Sequence, residues 1–505
     1  MQTSKSVALL LSAAFAAFAA IAGTAHGAQP ADVGVTGITA GLAGTALPGG
    51  SDAMRKPWAT IRHNFRGSTR DCGSDGYQFP PGGSYCDLPD TSGAIGPYYF
   101  VEMVNSNYAV YTRTGVPVQR MTMREFWGQA GVPFGLDEAP VGPSVAFDST
   151  EGRWYVSAIN ATADGLAQGT DLRVAVSRGD DPTEGFIGFK IHLHDLYVAN
   201  GDQPMMGYNG SGLFLTMFDF DADFNPTSST LVVLPKSDLL AHKPRVDRGT
   251  VFQNLSHADA GEFLVPTIDL DGGEQDEIVL ATEGNVQYNY GTYKRNDVRG
   301  NIFAPHLDLG SGYPDDYFFG RDDFSTYIFA PQPDPNAPPL GPNYLTAANT
   351  APVKVNGQIW MATNTVDPGT GRGTIHWLRI DAASTTIIEE GFIGDATQSF
   401  LFPSIAANQH GDVVIGFNAV GTGPSQFVSS YAVVGKTGRK TVFGAPMLLQ
   451  HGLASYQLTT DTENWGNESS TTLDPEDDKT FWTIQAIAVD TTHWATQITA
   501  LHVEH

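Results

Sequence analysis

The 505-residue chain contains several groupings of side chains whose types and spacing suit particular chemistry. The run Asp219-Phe220-Asp221-Ala222-Asp223-Phe224-Asn225 sets oxygen donors at alternate residues, as calcium loops do. Asp219, Asp221, Asp223 and Asn225 are therefore the candidate calcium ligands. The loop departs from the EF-hand pattern: Phe224 stands where the turn needs glycine, and Thr230 where a bidentate Glu belongs. A second acidic turn carries Asp269, Asp271, Glu274 and Asp276. The alternative reading of both is a pair of solvated acidic turns.

Glycosidic hydrolysis needs one carboxyl as acid and another as base or nucleophile, about 5 to 9 Å apart. Asp90, Asp202 and Glu468 are the candidate catalytic carboxylates, because each lies just before a strand pattern that recurs along the chain. Asp90 and Asp202 have a simpler alternative role, tying down a strand start through backbone hydrogen bonds. Elimination from a uronic acid would instead need a Tyr or His to take a proton beside a neutralised carboxylate. Tyr208 and His410 lie near strand openings and, with Asn467, are the candidate substrate-binding residues. His192-Leu193-His194-Asp195 would put two imidazoles on one strand face, with a solvated polar face as the alternative. The chain has no Gly-x-Ser-x-Gly elbow, no Walker loop and no His-Glu-x-x-His. No nucleotide or organic cofactor is expected.

The elements that must carry these residues are strands. Short alternating or apolar runs separated by turns recur, as in 98–111, 153–161, 172–177, 212–220 and 412–420. Helical patterns are confined to 122–131 and 237–242. A phrase repeats: a Pro, Ser or polar opening, a strand, a Gly/Asn/Asp turn, then an aromatic-rich strand. It occurs at 94–111, 143–159, 203–219, 265–282, 349–365, 403–419 and 467–486. Spacing of this size suits a four-stranded propeller blade. The sequence therefore predicts an all-β, seven-bladed β-propeller over 88–505, closed by residues near the N-terminus, with a long insertion at 285–342. The inner strands of such a fold begin around one axis, so Asp90, Ser144, Asp202, Ser404, Asn467 and Glu468 would converge on a funnel.

Composition agrees with an ordered, turn-rich protein: 41% hydrophobic, 16% charged, with 56 glycines and 31 prolines. The net charge of −26 disfavours nucleic acid and anionic lipid surfaces as partners. Residues 1–27 read as a secretory signal peptide, with Lys5, an apolar run from Val7 to Ala22 and a cleavage pattern at Ala25-His26-Gly27. No later stretch is long and apolar enough to span a bilayer. The protein is thus expected to be secreted or periplasmic. Cys72 and Cys86, the two cysteines, are expected to close a disulfide loop within an N-terminal extension, 28–87.

Several phrases carry a resemblance: HNFRG (63–67), LPDTSGAIGPYYFVEMVNS (88–106), GPSVAFDSTEGRWYV (142–156), GDQPMMGYNGSGLFLT (201–216), FPSIAANQHGDVVIGF (402–417) and WGNESSTTLDPEDDKTFW (465–482). In these the chain resembles exported bacterial seven-bladed β-propeller proteins, sialidase-like in fold and mostly of unassigned reaction. Where that group reads Trp-Gly-Asp-Tyr-Ser, this chain has Trp465-Gly466-Asn467-Glu468-Ser469, an amide for an acid with a carboxylate added beside it. An intact Asp-box and an arginine set for sialic acid are both missing, which argues against sialidase activity. The expected function is action on an extracellular polysaccharide as a glycoside hydrolase or polysaccharide lyase. The alternative is a non-catalytic carbohydrate- or protein-binding scaffold of the cell envelope.

Overall fold

Proline has no N–H to give a β-ladder, so a strand that contains one must bulge or end there. Three strands nearest the axis of this molecule do so at matching places. Pairing shifts between Val141 and Ser144, around Pro143, and between Asp202 and Met205, around Pro204. A third shift falls between Leu401 and Ser404, around Pro403. The residues before two of these prolines turn left-handed, Gly142 at φ 57° and Phe402 at φ 51°. Each inner strand thereby kinks before it enters the body, and the kink turns the preceding residue toward the axis.

The structure is a computed structural model. It describes residues 58–504 except 71–85, 87, 137, 163–169, 194–199, 222–225, 274–275, 286–289, 311–316, 320–329, 342–350, 368, 385, 459–462 and 466–467. The signal-peptide segment and Cys72 lie outside the described residues. Cys86 is fully buried, and its carbonyl accepts from Trp494 Nε1 at 3.1 Å.

The chain folds as an all-β propeller. Every repeated phrase forms an antiparallel hairpin, from Ser92–Ile95 with Tyr99–Met103 to Ser470–Leu473 with Thr480–Ala488. Apolar layers fill the gaps between neighbouring sheets. One packs Tyr155, Leu172 and Val174 of one hairpin set against Leu213, Leu215 and Val232 of the next. Each such side chain contributes about 1.5–3 kcal/mol on burial. The two helical patterns appear as Met123–Gln129, with a Thr122/Glu125 capping box, and Lys236–Leu239.

Ring closure comes from Ala59–Thr69, which pairs antiparallel with the last strand, Trp494–Val503. Glu102, fully buried, locks this strand in place. Its carboxylate accepts from Ser68 N and Oγ, from Tyr111 Oη at 2.7 Å, and from Thr496 Oγ1.

Two expectations need correction. Five separate blade-sized sheets stand in the described residues rather than seven. The other blade-forming strands run in a single nine-stranded sheet, in which Ile268–Asp269 bridges Asn200–Tyr208 and Val353–Val355 by parallel pairing. Gly207 permits the first of these pairings. A Cβ there would lie 2.4 Å from the Thr267 carbonyl oxygen and 2.6 Å from the Pro266 backbone. Without one, Tyr208 N reaches Thr267 O at 3.0 Å; on the other side of the bridge Ile268 N reaches Pro352 O at 2.8 Å. Gly207→Ala is expected to destabilise the protein by about 1–3 kcal/mol, because main chain on both sides must move. A urea midpoint unchanged from wild type would contradict this.

The long insertion at 285–342 is not borne out as a unit. Tyr290–Arg299 is a regular strand paired from Glu277↔Val298 to Asn285↔Tyr290, and His306–Asp308 and Tyr317–Phe319 pair onto it. The run of Tyr, Asn and Asp hid a strand whose partners lie on both sides. Further on, Leu340–Gly341 pairs with Glu463–Asn464, close before Glu468.

Candidate functional site

Residues of Ser92–Ile95, Glu138–Asp148, Asn200–Tyr208, Ile268–Asp269, Val353–Val355, Gln398–Ala407 and Ser470–Leu473 border a cavity of about 140 Å³. Its wall is mainly apolar, from residues such as Ile95, Phe147, Met205 and Val353, with Ser92, Ser144, Ser404 and Thr471 supplying hydroxyls. These hydroxyls also stitch neighbouring strands together. Ser92 Oγ accepts from Val145 N at 3.0 Å, and Ser470 Oγ from Gly93 N at 3.2 Å. Ser469 Oγ, Ser404 Oγ, Thr471 Oγ1 and Thr483 Oγ1 form a buried chain with 2.8 Å links.

Among the described residues lining this cavity there is one ionisable acid, Glu468. It stands just before the strand Ser470–Leu473, where that strand enters the body. Among the described residues none donates a hydrogen bond to its carboxyl. Burial, then the neighbouring carboxylates of Asp90 and Asp202, hold it well above the usual carboxylate range. Two candidate acids from distant parts of the sequence therefore act electrostatically on the third, which borders the cavity. Among the described residues no group of three or more His, Cys, Asp or Glu is placed to hold a metal ion.

Asp90 is set by backbone and by an amide. Its φ of 38° turns it out of line with the strand Ser92–Ile95. Its Oδ2 accepts from Asn105 Nδ2 at 2.7 Å, and Asn105 Oδ1 accepts from Gly142 N at 3.0 Å in the next sheet. The same device recurs: Asn364 Oδ1 accepts from Phe402 N at 2.7 Å, and Asn418 Nδ2 donates to Ala486 O at 2.8 Å. Sequence reasoning missed these clamps, although the signal was there in Asn105, Asn364 and Asn418, which occupy similar places in their repeated phrases. Asp202 is placed by the Pro204 bulge, opposite Phe218 in the ladder.

The other candidates fall elsewhere. Ser144 and Ser404 line the cavity, and Asn467 lies outside the described residues. Tyr208 borders the cavity, but its hydroxyl donates to Phe147 O at 3.0 Å. Burial, with Asp148, Tyr155 and Asp269 around it, raises that phenol well above its usual value. His410 sits on an exposed turn beside Asp478, its Nε2 2.5 Å from Oδ2, and is not among the described lining residues. His192 pairs with Asp171 at 2.7 Å, and His194 lies outside the described residues.

Of the calcium candidates, Asp223 and Asn225 are outside the described residues. Asp219 is fully buried, its Oδ2 accepting from Thr230 Oγ1 at 2.8 Å and Ser228 Oγ at 3.2 Å. Burial pushes its carboxyl up to about 7, and its Oδ1 has no hydrogen-bond partner.

No protein-family model and no curated protein matches the chain. Solved structures match at the level of fold. One is a protein of unknown function from Dyadobacter fermentans DSM 18053, 8% identical, covering 73% of this chain and 96% of its own, with a TM-score of 0.39. Another is an endo-arabinase from Bacteroides thetaiotaomicron VPI-5482, 10% identical, covering 72% and 93%, TM-score 0.33. A third is a Trypanosoma rangeli sialidase, 10% identical, covering 81% and 59%, TM-score 0.36. Neighbours thus include glycoside hydrolases, at an identity and overlap too low to carry an activity across.

Proposed function

We propose that the protein is a secreted glycoside hydrolase acting on an extracellular polysaccharide at the acidic end of its central cavity. The observation that carries this reading is Glu468, a carboxyl on the cavity wall raised by burial and by Asp90 and Asp202. A carboxyl raised in this way holds its proton to higher pH than an ordinary one and is suited to give it to a leaving oxygen. In the proposed step the glycosidic C–O bond breaks as the leaving oxygen takes the Glu468 proton. Asp90 or Asp202 serves as base or nucleophile, and water supplies the hydroxyl that ends on the anomeric carbon.

Elimination has less support. Tyr208 already donates to a carbonyl, and among the described residues the cavity wall carries no cation that could neutralise a uronate. Export through residues 1–27, a Cys72–Cys86 disulfide and calcium at Asp219, Asp221, Asp223 and Asn225 belong to the same proposal. The bare Oδ1 of Asp219 favours the last.

The test uses the protein from residue 28 onward, with calcium, on a panel of polysaccharides, following reducing ends and unsaturated-product absorbance. New reducing ends without unsaturation, lost in Asp202→Asn, are expected. Unsaturated products would replace hydrolysis with elimination. A folded protein silent on every polymer would favour the envelope scaffold.

A further inference from the structure

Resting on that reading, we propose that the site takes a sugar chain free of anionic groups, and rejects uronates and sulfated glycans. Among the described residues, the charged groups acting on Glu468 are Asp90 and Asp202, both acids. Among the described residues, the cavity wall beside it also carries no Lys, Arg or His. A carboxylate on the substrate would therefore enter a low-dielectric mouth already holding three acids, without a partner.

Cations do lie near the axis, but at the far ends of the inner strands, each with an aspartate of its own. Lys236 pairs with Asp148, Lys354 with Asp269 at 3.0 Å, and Arg113 with Asp474. The lysines and their aspartates are buried, so neither can turn toward a substrate without abandoning a carboxylate. The charge of −26 over the chain extends the same repulsion outward. What remains for binding is apolar wall and hydroxyls, which suit uncharged sugar faces and ring hydroxyls.

The experiment compares wild type and Glu468→Gln by affinity electrophoresis and calorimetry. The probes are arabinan, xylan, galactan and glucan, against polygalacturonate, alginate and the carboxyl-reduced form of polygalacturonate. At least one neutral polymer should bind tenfold or more tighter than either uronate, and carboxyl reduction should improve binding. Raising ionic strength should narrow the gap by screening the repulsion. Uronates bound or cleaved as well as the best neutral polymer would overturn the proposal, and so would a protein that binds none of the probes. Neutral polymers bound by both proteins but cut by neither would leave the charge selectivity standing while the hydrolase reading fell.

Discussion

Glu468→Gln is expected to lower turnover on a responsive polysaccharide by about 10²–10⁴-fold, with substrate binding little changed. The amide matches the acid in shape but has no proton to give. The acid's ionised form is the costly one here, because burial and two like charges oppose it. That gives the same substitution a second effect of opposite sign. An unfolded Glu ionises with a pKa of about 4.3. In the folded state the value is higher, so between the two the native protein holds a proton that the unfolded chain has released. Wild-type stability must then fall as pH rises through that window. Glutamine has no such dependence, so the variant should match wild type in acid and exceed it increasingly toward neutral pH, levelling off above the folded pKa. Activity of the wild type should also decline on the alkaline side as Glu468 loses its proton. Thermal midpoints of the two proteins across pH check the stability part. Parallel curves would mean that Glu468 is not raised and is not the acid.

This pairing of lost activity with gained stability marks a residue kept for function rather than folding. The hydroxyl neighbours behave differently. Ser404, Ser469 and Thr471 satisfy one another in a closed chain, so their presence is explained by holding inner strands together. Glu468, among them in space, receives none of their hydrogens.

The convergence of Asp90, Asp202 and Glu468 was legible because a propeller repeats in sequence what it repeats in space. A polar residue before each strand opening lands at the same end of the axis once the phrase is recognised. The prolines were visible as phrase openings, but the ladder shifts around Pro143, Pro204 and Pro403 came only with the structure. Sheet fusion was not legible. It depends in part on one missing Cβ at Gly207 facing main chain from another repeat, and a glycine in a strand reads the same whether it faces solvent or Thr267. The strand Tyr290–Arg299 was hidden for a related reason. Charged residues such as Lys294 and polar ones such as Asn296 interrupt its apolar pattern, yet both are buried because Ala258 and Ala260 carbonyls accept from them. Periodicity reads solvent exposure, and here buried polar contacts replaced it. The Asn105 clamp, in turn, was visible as a repeated residue but not as a contact, because its partner Gly142 lies in the next sheet.

Lys236→Met is expected to destabilise the protein by about 3–5 kcal/mol, the usual result of leaving one member of a buried ion pair uncompensated. Lys236 and Asp148 are 3% and 2% exposed, and the ammonium also lies 4.8 Å from the centre of the Tyr208 ring. Methionine would keep the stem's packing and remove the charge. Asp148 would then retain Thr150 N as a donor at 3.0 Å, far too little for a carboxylate in that setting. The pair joins two neighbouring sheets at the far end of the cavity, as Arg113–Asp474 does at another junction, while Lys354–Asp269 links paired strands within the nine-stranded sheet. A second substitution separates charge from packing. Adding Asp148→Leu to Lys236→Met removes the stranded carboxylate, so the double variant should recover most of the loss, as apolar replacement of buried pairs often does. Urea midpoints of the wild type and both variants give the answer. If the double variant is as unstable as the single one, the junction depends on the hydrogen bonds of the pair rather than on mutual neutralisation. Recovery would instead mean that these cations serve to cancel aspartates, leaving none to spare for the acidic mouth where Glu468 stands.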